Sequence, residues 1–428
     1  MLKEEFMVEE LLKEYIFRPD LKVLISKKNE KYFVCKNETS VKFIEKTYEN
    51  KKYDNIINTL IDYYKVKKEI IEKDYSILLD SILNAKSDNK YRIISRGGIP
   101  EWLDIEKIKF PFAIEIELTR RCNWNCKFCY NVWKHSDKPS QYFDLPFDSY
   151  KKIIDEAAEN GCTMIRLSGG EPTLHPDFYK IIDYTSKKKL KIALFTNASM
   201  ITNNSIKFYK DNSINDILIS LHGTEKLHNE ITGAGNSYKD TLKKIKLIID
   251  NNISASVETI LLGKITDEQL IELSNILSQL GVKNWNLMPY VPTGMDCDNI
   301  YSFNYKRIPK LMEKLQRNSS LHIRIVCSQK FCSFGEDLKK VADEYKYIDC
   351  SCGSGIMWLS ISYDGKIRNC PHSNVYAGDI SEGIMNVYET KLKPAVKNIL
   401  LKQDDECIGC EVFNKCRGGC YLSKINKY

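Results

Sequence analysis

Three cysteines in C-x3-C-x2-C spacing lie in the segment Arg121-Cys122-Asn123-Trp124-Asn125-Cys126-Lys127-Phe128-Cys129-Tyr130. Residues 112–118 alternate apolar and acidic side chains, which predicts a β-strand that ends shortly before the cysteines. Thiolates at this spacing can surround one face of a compact iron–sulfur cluster, which is normally held by four cysteines. With three cysteines in the segment, one iron atom is left open to another ligand.

The segment alone leaves a second interpretation open, which is a zinc knuckle or three unrelated buried cysteines. Phe128 and Tyr130 flank the third cysteine. In the cluster interpretation, we expect these two aromatic side chains to shield the metal from water.

Composition indicates a globular protein of two or three domains, with 428 residues, 43% hydrophobic and 28% charged. The net charge of +7 is spread over lysine-rich helical segments and argues only weakly for an anionic partner. We therefore expect no nucleic-acid partner. The N-terminus is charged and lacks an apolar core segment, and no apolar run approaches the roughly 18 residues of a membrane span. These features predict a cytoplasmic protein without a membrane partner.

The 15 cysteines are distributed unevenly along the chain. Only Cys35 precedes the three-cysteine segment, and nine cysteines lie in the stretch from Cys327 to Cys420. In an exported protein this density would indicate disulfides, whereas in a cytoplasmic protein short spacings indicate metal ligands. We expect metal binding.

Residues 1–85 are predicted to form a small separate domain. An apolar stripe at helical spacing, Met7, Leu11, Leu12 and Tyr15, predicts a first helix. Two short strands are predicted at 22–26 and 31–35, and further helical stripes follow within residues 41–83. This order is typical of a winged-helix-like fold. Residues 86–110 contain Ser95-Arg96-Gly97-Gly98-Ile99-Pro100 and are predicted to be a linker.

Strands and helices alternate from residue 111 to about residue 317. The predicted strands are 113–118, 164–168, 192–196, 216–221, 254–261 and 285–289. Six β/α units with short connections imply a parallel sheet. The three-cysteine segment would follow the first strand, at the sheet edge where barrel enzymes place their active sites.

The second of these strands ends in Ser168-Gly169-Gly170-Glu171-Pro172. Two glycines allow the backbone to approach a ligand closely, and a neighbouring carboxylate can pair with an ammonium group. An ordinary turn is the alternative. The next two strands end in Thr196-Asn197 and in Ser220-Leu221-His222-Gly223.

The three-cysteine segment, followed one β/α unit later by the Gly-Gly-Glu-Pro motif, resembles the signature of radical S-adenosylmethionine (SAM) enzymes. The resemblance implies an α/β fold with a partial (β/α)6 TIM-like barrel. It implies a [4Fe-4S] cluster on Cys122, Cys126 and Cys129, whose open iron is chelated by the amino and carboxylate groups of S-adenosylmethionine. It also implies a reducing partner such as flavodoxin or ferredoxin.

The same resemblance implies a set of cofactor contacts. These are Gly169, Gly170, Glu171 and Pro172 for the methionine amino group, and Thr196, Asn197, Ser220 and His222 for the ribose and carboxylate. Two positions depart from the family pattern, because relatives often have an acidic residue at His222 and an arginine at Thr232.

The C-terminal part, 318–428, is predicted to be a cysteine-rich extension. A hairpin is predicted from strands 358–363 and 366–368 around Asp364-Gly365. Cys350 and Cys352 precede it, Cys370 follows it, and the chain then has the pattern Cys407-x2-Cys410-x5-Cys416-x3-Cys420. A structural zinc ribbon is one interpretation of this pattern.

This region also resembles the SPASM extension of radical enzymes that modify peptides, which holds one or two auxiliary iron–sulfur clusters. The resemblance assigns Cys352, Cys370, Cys420 and Cys350 to a first auxiliary cluster. It assigns Cys407, Cys410 and Cys416 to a second one, whose usual fourth cysteine does not appear in the sequence. Cys327, Cys332 or an oxygen ligand could replace it; an open iron or the lack of this cluster are the other options.

Residues 1–85 are similar to the peptide-recognition domain of many maturases of ribosomally made peptides, from Phe17-Arg18-Pro19 through Asn37-Glu38-Thr39 to Ile56 and Leu60. The similarity implies binding of a precursor's leader, to which an exposed strand edge is suited. A small accessory or DNA-binding winged helix is the alternative.

Together these features predict a radical SAM peptide maturase. Thioether cross-linking, from a cysteine sulfur to a peptide carbon, is the reaction we favour, followed by carbon–carbon cross-linking or oxidative decarboxylation. Radical chemistry on folded proteins and a non-catalytic, zinc-containing peptide or nucleic-acid adaptor are the other hypotheses. No general base stands out in the sequence.

Overall fold

The computed structural model describes residues 2–26, 32–35, 37–84, 104–131, 144–214, 216–291, 302–326, 329–345, 347–348, 352–420 and 422. Cys327 and Cys350, and most of the proposed linker, lie outside these ranges. The described residues form two compact units. The first contains the residues up to Asn84 together with 104–109, and the second contains those from Phe110 onward.

The first unit combines a small antiparallel sheet with four helices. Its elements are α1 (Leu2–Glu14), β1 (Tyr15–Arg18), β2 (Val23–Ser26), β3 (Tyr32–Val34), α2 (Glu38–Asn50), α3 (Tyr53–Tyr64) and α4 (Lys68–Leu83). The strand order is β1-β2-β3, with both pairs antiparallel. Apolar stripes of the four helices pack into one core with residues of this sheet, as expected for amphipathic elements.

One prediction for this unit was wrong at a boundary. Tyr15 was assigned to the first helix, but it begins β1 and pairs with Ser26. Its side chain fits the helical stripe and is buried in the same core, so local periodicity does not reveal where the helix ends. The pairing of β1 with β2 decides the boundary.

The second unit is built on one ten-stranded sheet. Its strands are β4 (Ala113–Glu117), β5 (Met164–Ser168), β6 (Lys191–Thr196), β7 (Asp216–Ser220), β8 (Ala255–Leu261), β9 (Asn284–Pro289), β10 (His322–Ile325), β11 (Trp358–Ile361), β12 (Lys366–Arg368) and β13 (Gly378–Asp379). The order is β10-β9-β8-β7-β6-β5-β4-β11-β12-β13. Strands β4 to β10 run parallel, which confirms the predicted β/α architecture.

Helices lie between these strands and after the last of them. They are α5 (Phe147–Glu159), α6 (Phe178–Lys187), α7 (Asn203–Asp211), α8 (Glu225–Thr232), α9 (Ser237–Asp250), α10 (Asp267–Gln279), α11 (Ile308–Asn318), α12 (Leu338–Glu344), α13 (Ile384–Val387), α14 (Lys393–Leu401) and α15 (Phe413–Cys416). Thr266 begins α10 with a capping box, in which its side chain accepts from the backbone N–H of Gln269.

The C-terminal region extends the same sheet. Strand β11 pairs in parallel with β4, and the predicted hairpin of β11 and β12 forms around Gly365. Gly365 has a φ of +84°, a conformation that suits glycine. Strand β10 was not predicted and pairs with β9. The division of this unit at residue 318 stays a prediction.

No helix in the described ranges combines the length and the apolar character that crossing a membrane requires.

Candidate active site

The three-cysteine segment is a loop that begins at the C-terminal end of β4. Backbone hydrogen bonds hold it from two sides. The N–H groups of Gly170 and Glu171 donate to the carbonyls of Thr119 and Arg121, each at 2.7 Å. On the other side, α8 provides the acceptors: Asn125 N–H donates to Thr232 at 3.0 Å, and Lys127 N–H donates to Ile231 at 2.9 Å. The positions of the cysteines are therefore fixed by main-chain contacts.

Two glycines of the Gly-Gly-Glu-Pro motif make this close approach feasible. A Cβ atom on Gly170 would lie 2.2 Å from the carbonyl oxygen of Arg121. At Gly169, where φ is +133°, it would lie 2.7 Å from the oxygen of Thr119. The backbone of these two glycines therefore contacts the backbone of the cysteine loop directly, and this contact requires glycine whether or not a ligand is bound.

Aromatic side chains of the loop pack on a histidine pair. Trp124 is buried and lies edge-to-face on His228, with ring centroids 5.4 Å apart. Phe128 contacts His222 in the same geometry at 4.8 Å. Cys122, Cys126 and Cys129 are free of disulfides and partly exposed. The loop thus buries Trp124, whereas Phe128 and the three thiols are partly exposed.

Glu171 is buried at the start of a short 3-10 turn that begins with Pro172. Its Oε1 accepts from the hydroxyl of Thr173 at 2.6 Å and from that of Thr196 at 2.7 Å, and from the N–H of Thr173 at 3.2 Å. Its Oε2 accepts from the N–H of Asn197 at 2.8 Å. Burial raises the pKa of this carboxyl and the hydrogen bonds oppose that rise. Because a carboxylate has about four acceptor sites, Oε2 keeps acceptor capacity for a ligand.

The structure brings most of the expected cofactor contacts together. Asn197 joins this group to the cysteine loop, because its side-chain amide donates to the Asn123 side chain at 2.8 Å. His222 is held in place by hydrogen bonds, since its Nδ1 accepts from the N–H of Ile260 at 3.2 Å. Burial lowers the pKa of His222 well below its ordinary value, so this ring is neutral. Ser220 ends β7 and is partly buried.

Charged side chains that sequence reasoning missed lie on the concave side of the sheet. One of them is Glu258 on β8, which lies four strands away from β4 in the order of the sheet. In a flat sheet the two strands would be about 19 Å apart. Nevertheless, the charge of Glu115 on β4 contributes to raising the pKa of Glu258. The sheet therefore curves, and both carboxyls face its interior.

Glu258 has a distinct environment. Burial raises its pKa to about 7, with Glu115 adding to the effect. Within the described part of the chain, no hydrogen-bond donor contacts its carboxyl. Its neighbours across the strands are Ser220 and Asn286. A single glutamate within the otherwise apolar and hydroxylated strand Ala255–Leu261 was the available sequence signal.

A buried ion pair links the barrel to the C-terminal region. Arg368 on β12 pairs with Glu117 on β4, and their side chains are 2% and 0% exposed. The hydroxyl of Tyr130 also donates to Glu117 at 3.3 Å. The ring of Tyr130 lies 4.4 Å from that of His372, centroid to centroid. The three-cysteine loop and the Cys370 region are therefore in direct contact.

The C-terminal thiols fall into two groups in the described residues. Burial raises the pKa of Cys370 well above its ordinary value, and the charges of Cys352 and Cys420 add to that rise. These three predicted ligands of the first auxiliary cluster are therefore close together, and Cys350 lies outside the described residues. Cys407, Cys410 and Cys416 follow one another through a tight turn and α15.

No three or more His, Cys, Asp or Glu side chains in the described ranges are arranged to hold a single metal ion. The thiolates that hold a four-iron cluster are farther apart than the ligands of one metal ion. The described residues therefore do not favour a single zinc ion, and thiols spaced for a cluster would not be found by this criterion. None of the cysteines in the described ranges is in a disulfide.

Comparison with known proteins agrees with this geometry. The family model described as the Radical SAM superfamily matches residues 116–277. The AdoMet-dependent heme synthase of Methanosarcina barkeri is 25% identical over 283 residues, which cover 64% of this chain and 80% of the relative. The antilisterial bacteriocin subtilosin biosynthesis protein AlbA of Bacillus subtilis is 25% identical over 338 residues, covering 74% and 68%.

The solved structure of Streptococcus suis SuiB bound to the precursor peptide SuiA is similar over almost its whole length. It covers 97% of this chain and 96% of SuiB, with a TM-score of 0.74 and 18% identity. The likeness confirms the fold class, an α/β partial barrel with a small antiparallel N-terminal domain and a cysteine-rich C-terminal region. Residues 116–277, which match the Radical SAM superfamily model and carry the cysteine loop at the C-terminal edge of the sheet, therefore form a radical SAM domain.

Proposed function

We propose that this enzyme modifies a ribosomally made precursor peptide by radical chemistry. One observation carries the proposal: three partly exposed thiols are held on a backbone-fixed loop at the C-terminal edge of a parallel sheet. Relatives support the substrate class, since AlbA takes part in the biosynthesis of a bacteriocin and SuiB binds a precursor peptide.

The residues present fit an iron–sulfur cluster with an open iron. Cys122, Cys126 and Cys129 supply three thiolates, and no fourth cysteine lies within the loop. Glu171, with its remaining acceptor capacity at Oε2, suits the amino group of S-adenosylmethionine. Thr196 and Asn197 orient that carboxylate through the hydrogen bonds described above.

When bound, the cluster and S-adenosylmethionine would supply the one-electron chemistry needed for hydrogen-atom abstraction from the substrate. The chain itself orients the substrate and excludes water. Trp124 and Phe128 of the cysteine loop pack against His228 and His222. Glu258 offers an unused carboxyl on the concave side, where it can accept a hydrogen bond from the peptide. An external electron donor such as flavodoxin or ferredoxin completes the requirement.

The small antiparallel sheet suits a role in binding the precursor's leader. Strands β1 and β3 are its two edges. An extended peptide can add to such an edge through main-chain hydrogen bonds, with little dependence on its sequence. We assign leader binding to this unit, residues 1–85.

Thioether formation is the reaction we favour. Joining a cysteine sulfur to a peptide carbon removes two hydrogens, one as an atom and the other as a proton and an electron. An auxiliary cluster on Cys352, Cys370 and Cys420 could accept that electron, and the contact of Tyr130 with His372 places these thiols near the first cysteine loop. Carbon–carbon cross-linking has the same balance of hydrogens and is the second candidate.

The test is an anaerobic reaction with the product of a short reading frame adjacent to the gene. We expect mass spectrometry to show the loss of two hydrogens in the core of the peptide. Alkylation of cysteines then separates the two reactions, because a thioether removes a free thiol and a carbon–carbon link does not. Deleting residues 1–85 should abolish modification of the full precursor but retain slow cleavage of S-adenosylmethionine. Unchanged peptide turnover after the deletion would refute the assignment of leader binding.

A further inference from the structure

The short segment around Cys332 has a defined position in the C-terminal region. It forms a 3-10 turn, Phe331–Phe334, that ends at Gly335 with a φ of +69°. Phe331 and Phe334 are each 1% exposed and anchor the turn, whereas Cys332 between them is exposed. The anchoring fixes the backbone that carries this thiol.

This segment packs against the loop that follows Cys416. The N–H of Phe331 donates to the sulfur of Cys416 at 3.4 Å. A Cβ atom on Gly419 would lie 2.9 Å from the backbone nitrogen of Lys330, so the two loops touch through their main chains. Substitution of Gly419 would push them apart, which ties the position of Cys332 to that of Cys416.

The other side of the segment faces Cys407. The ammonium of Lys330 pairs with Glu406 at 2.9 Å and with Asp404 at 3.6 Å. Glu406 immediately precedes Cys407 in the chain, so this ion pair holds Lys330 beside Cys407. The residues just before Cys332 therefore lie between Cys407 and Cys416.

The sulfur of Cys416 has the surroundings of a thiolate. The backbone N–H of Phe331 donates to it at 3.4 Å, and the backbone N–H groups of Gly418 and Gly419 lie beside it. Gly418 and Gly419 have φ values of 71° and 80°, which turn the chain back over Cys416, and the Gly419 N–H donates to the carbonyl of Cys416 at 3.1 Å. Converging backbone donors of this kind are found at iron–sulfur sites, whereas a neutral thiol is a weak acceptor that does not need them.

Neighbouring thiols divide between the two groups. Cys420 lies close enough to Cys370 for their charges to interact, so Cys420 belongs with the proposed ligands of the first auxiliary cluster. Cys332 is close enough to Cys416 for its charge to act on that thiol. We infer that Cys332 is the fourth sulfur ligand of an iron–sulfur cluster that it shares with Cys407, Cys410 and Cys416. The inference deepens the proposed function, since it rests on auxiliary clusters being present, but it does not depend on which bond the enzyme forms.

The test compares the full-length protein with five variants, all purified or reconstituted anaerobically. Cys332→Ala, Cys416→Ala and Cys332→Ser each change one proposed ligand, and a double variant combines the first two. Ser333→Ala is the matched control, since it changes the same turn without removing a thiol. Iron and sulfide per chain and the electron paramagnetic resonance spectrum of the reduced protein are measured, with circular dichroism as the check on folding.

We expect Cys332→Ala to lose up to about four irons per chain, the content of one [4Fe-4S] cluster, or to convert that cluster to a three-iron form. The double variant should lose no more iron than Cys416→Ala, because both residues hold the same cluster. Ser333→Ala should match the wild type. In Cys332→Ser, an oxygen ligand replaces the sulfur, so a retained cluster should have a shifted spectrum even if Cys332→Ala folds poorly.

Wild-type iron content and spectra in both Cys332 variants would overturn the inference, as would additive iron loss in the double variant or zinc bound at these thiols. A total of about four irons per chain in the wild-type protein, which is one cluster, would overturn the proposed auxiliary clusters themselves.

Discussion

Replacing Gly170 with alanine should disable the cysteine loop without changing any residue proposed to bind metal. The added Cβ would lie 2.2 Å from the carbonyl oxygen of Arg121, the residue immediately before Cys122. Contacts of a Cβ below 3.0 Å are essentially never found. The contacted oxygen belongs to the backbone and a Cβ is fixed rigidly to its own backbone, so no flexible side chain is able to move aside and the loop itself must shift.

The required shift is about 0.8 Å at least, the difference between these two distances. The same movement strains the hydrogen bond from the Glu171 N–H to Arg121, which is 2.7 Å long. A displacement of about 1 Å in reacting groups commonly costs about 100-fold in rate. We therefore expect Gly170→Ala to form deoxyadenosine about 100-fold more slowly than the wild type, because the shift of the loop misplaces Cys122.

Gly235→Ala is the matched control, because a Cβ there meets no atom within 4 Å. Both variants are reduced anaerobically with S-adenosylmethionine, and deoxyadenosine is measured by chromatography together with iron content. Gly235→Ala should behave as the wild type. If Gly170→Ala forms deoxyadenosine as fast as Gly235→Ala, the loop is not held by this contact and the reasoning is refuted.

Two further predictions concern the charges on the concave side of the sheet. Arg368→Met should lower the free energy of unfolding by about 3–5 kcal/mol, because it leaves Glu117 buried without its partner. Denaturant unfolding measures this loss, which should be smaller in the Glu117→Gln/Arg368→Met double variant. Equal losses in the single and double variants would contradict an ionic role of the pair. Between pH 4.5 and about 7, the folded protein keeps a proton on Glu258 that the unfolded chain releases, so the free energy of unfolding should fall as the pH rises through this window. Glu258→Gln should remove that part of the pH dependence, and an unchanged profile would show that Glu258 does not titrate in this range.

Local patterns were sufficient to predict the barrel strands. The predicted strand 164–168 matches β5, and 216–221 exceeds β7 by one residue. These strands are buried, flanked by amphipathic helices and bounded by turn residues, so their signals lie within a few positions in the sequence. The three-cysteine segment was recognisable for the same reason.

Long-range pairings had no comparable signal. The sequence predicted the hairpin of β11 and β12, but it did not indicate that β11 pairs in parallel with β4, more than 200 residues earlier. That pairing brings Arg368 to Glu117 and His372 to Tyr130. The contact between the two thiol regions therefore emerges only from the folded chain.

The motif around Gly170 illustrates a related difference. Sequence reasoning assigned its glycines to ligand approach, and the structure places them against the cysteine loop. Whether they also contact the cofactor stays a prediction. Glu258 was missed because one glutamate in a strand does not reveal which face of the sheet it occupies until the curvature is known.

The most direct test of the central claim is deoxyadenosine formation by anaerobically reconstituted protein supplied with a reductant and S-adenosylmethionine. We expect the wild-type protein to have the absorbance of an iron–sulfur cluster and to cleave the cofactor. We expect a variant with Cys122, Cys126 and Cys129 all changed to alanine not to cleave it. A wild-type protein that releases no deoxyadenosine, or a triple variant that releases as much, would contradict it.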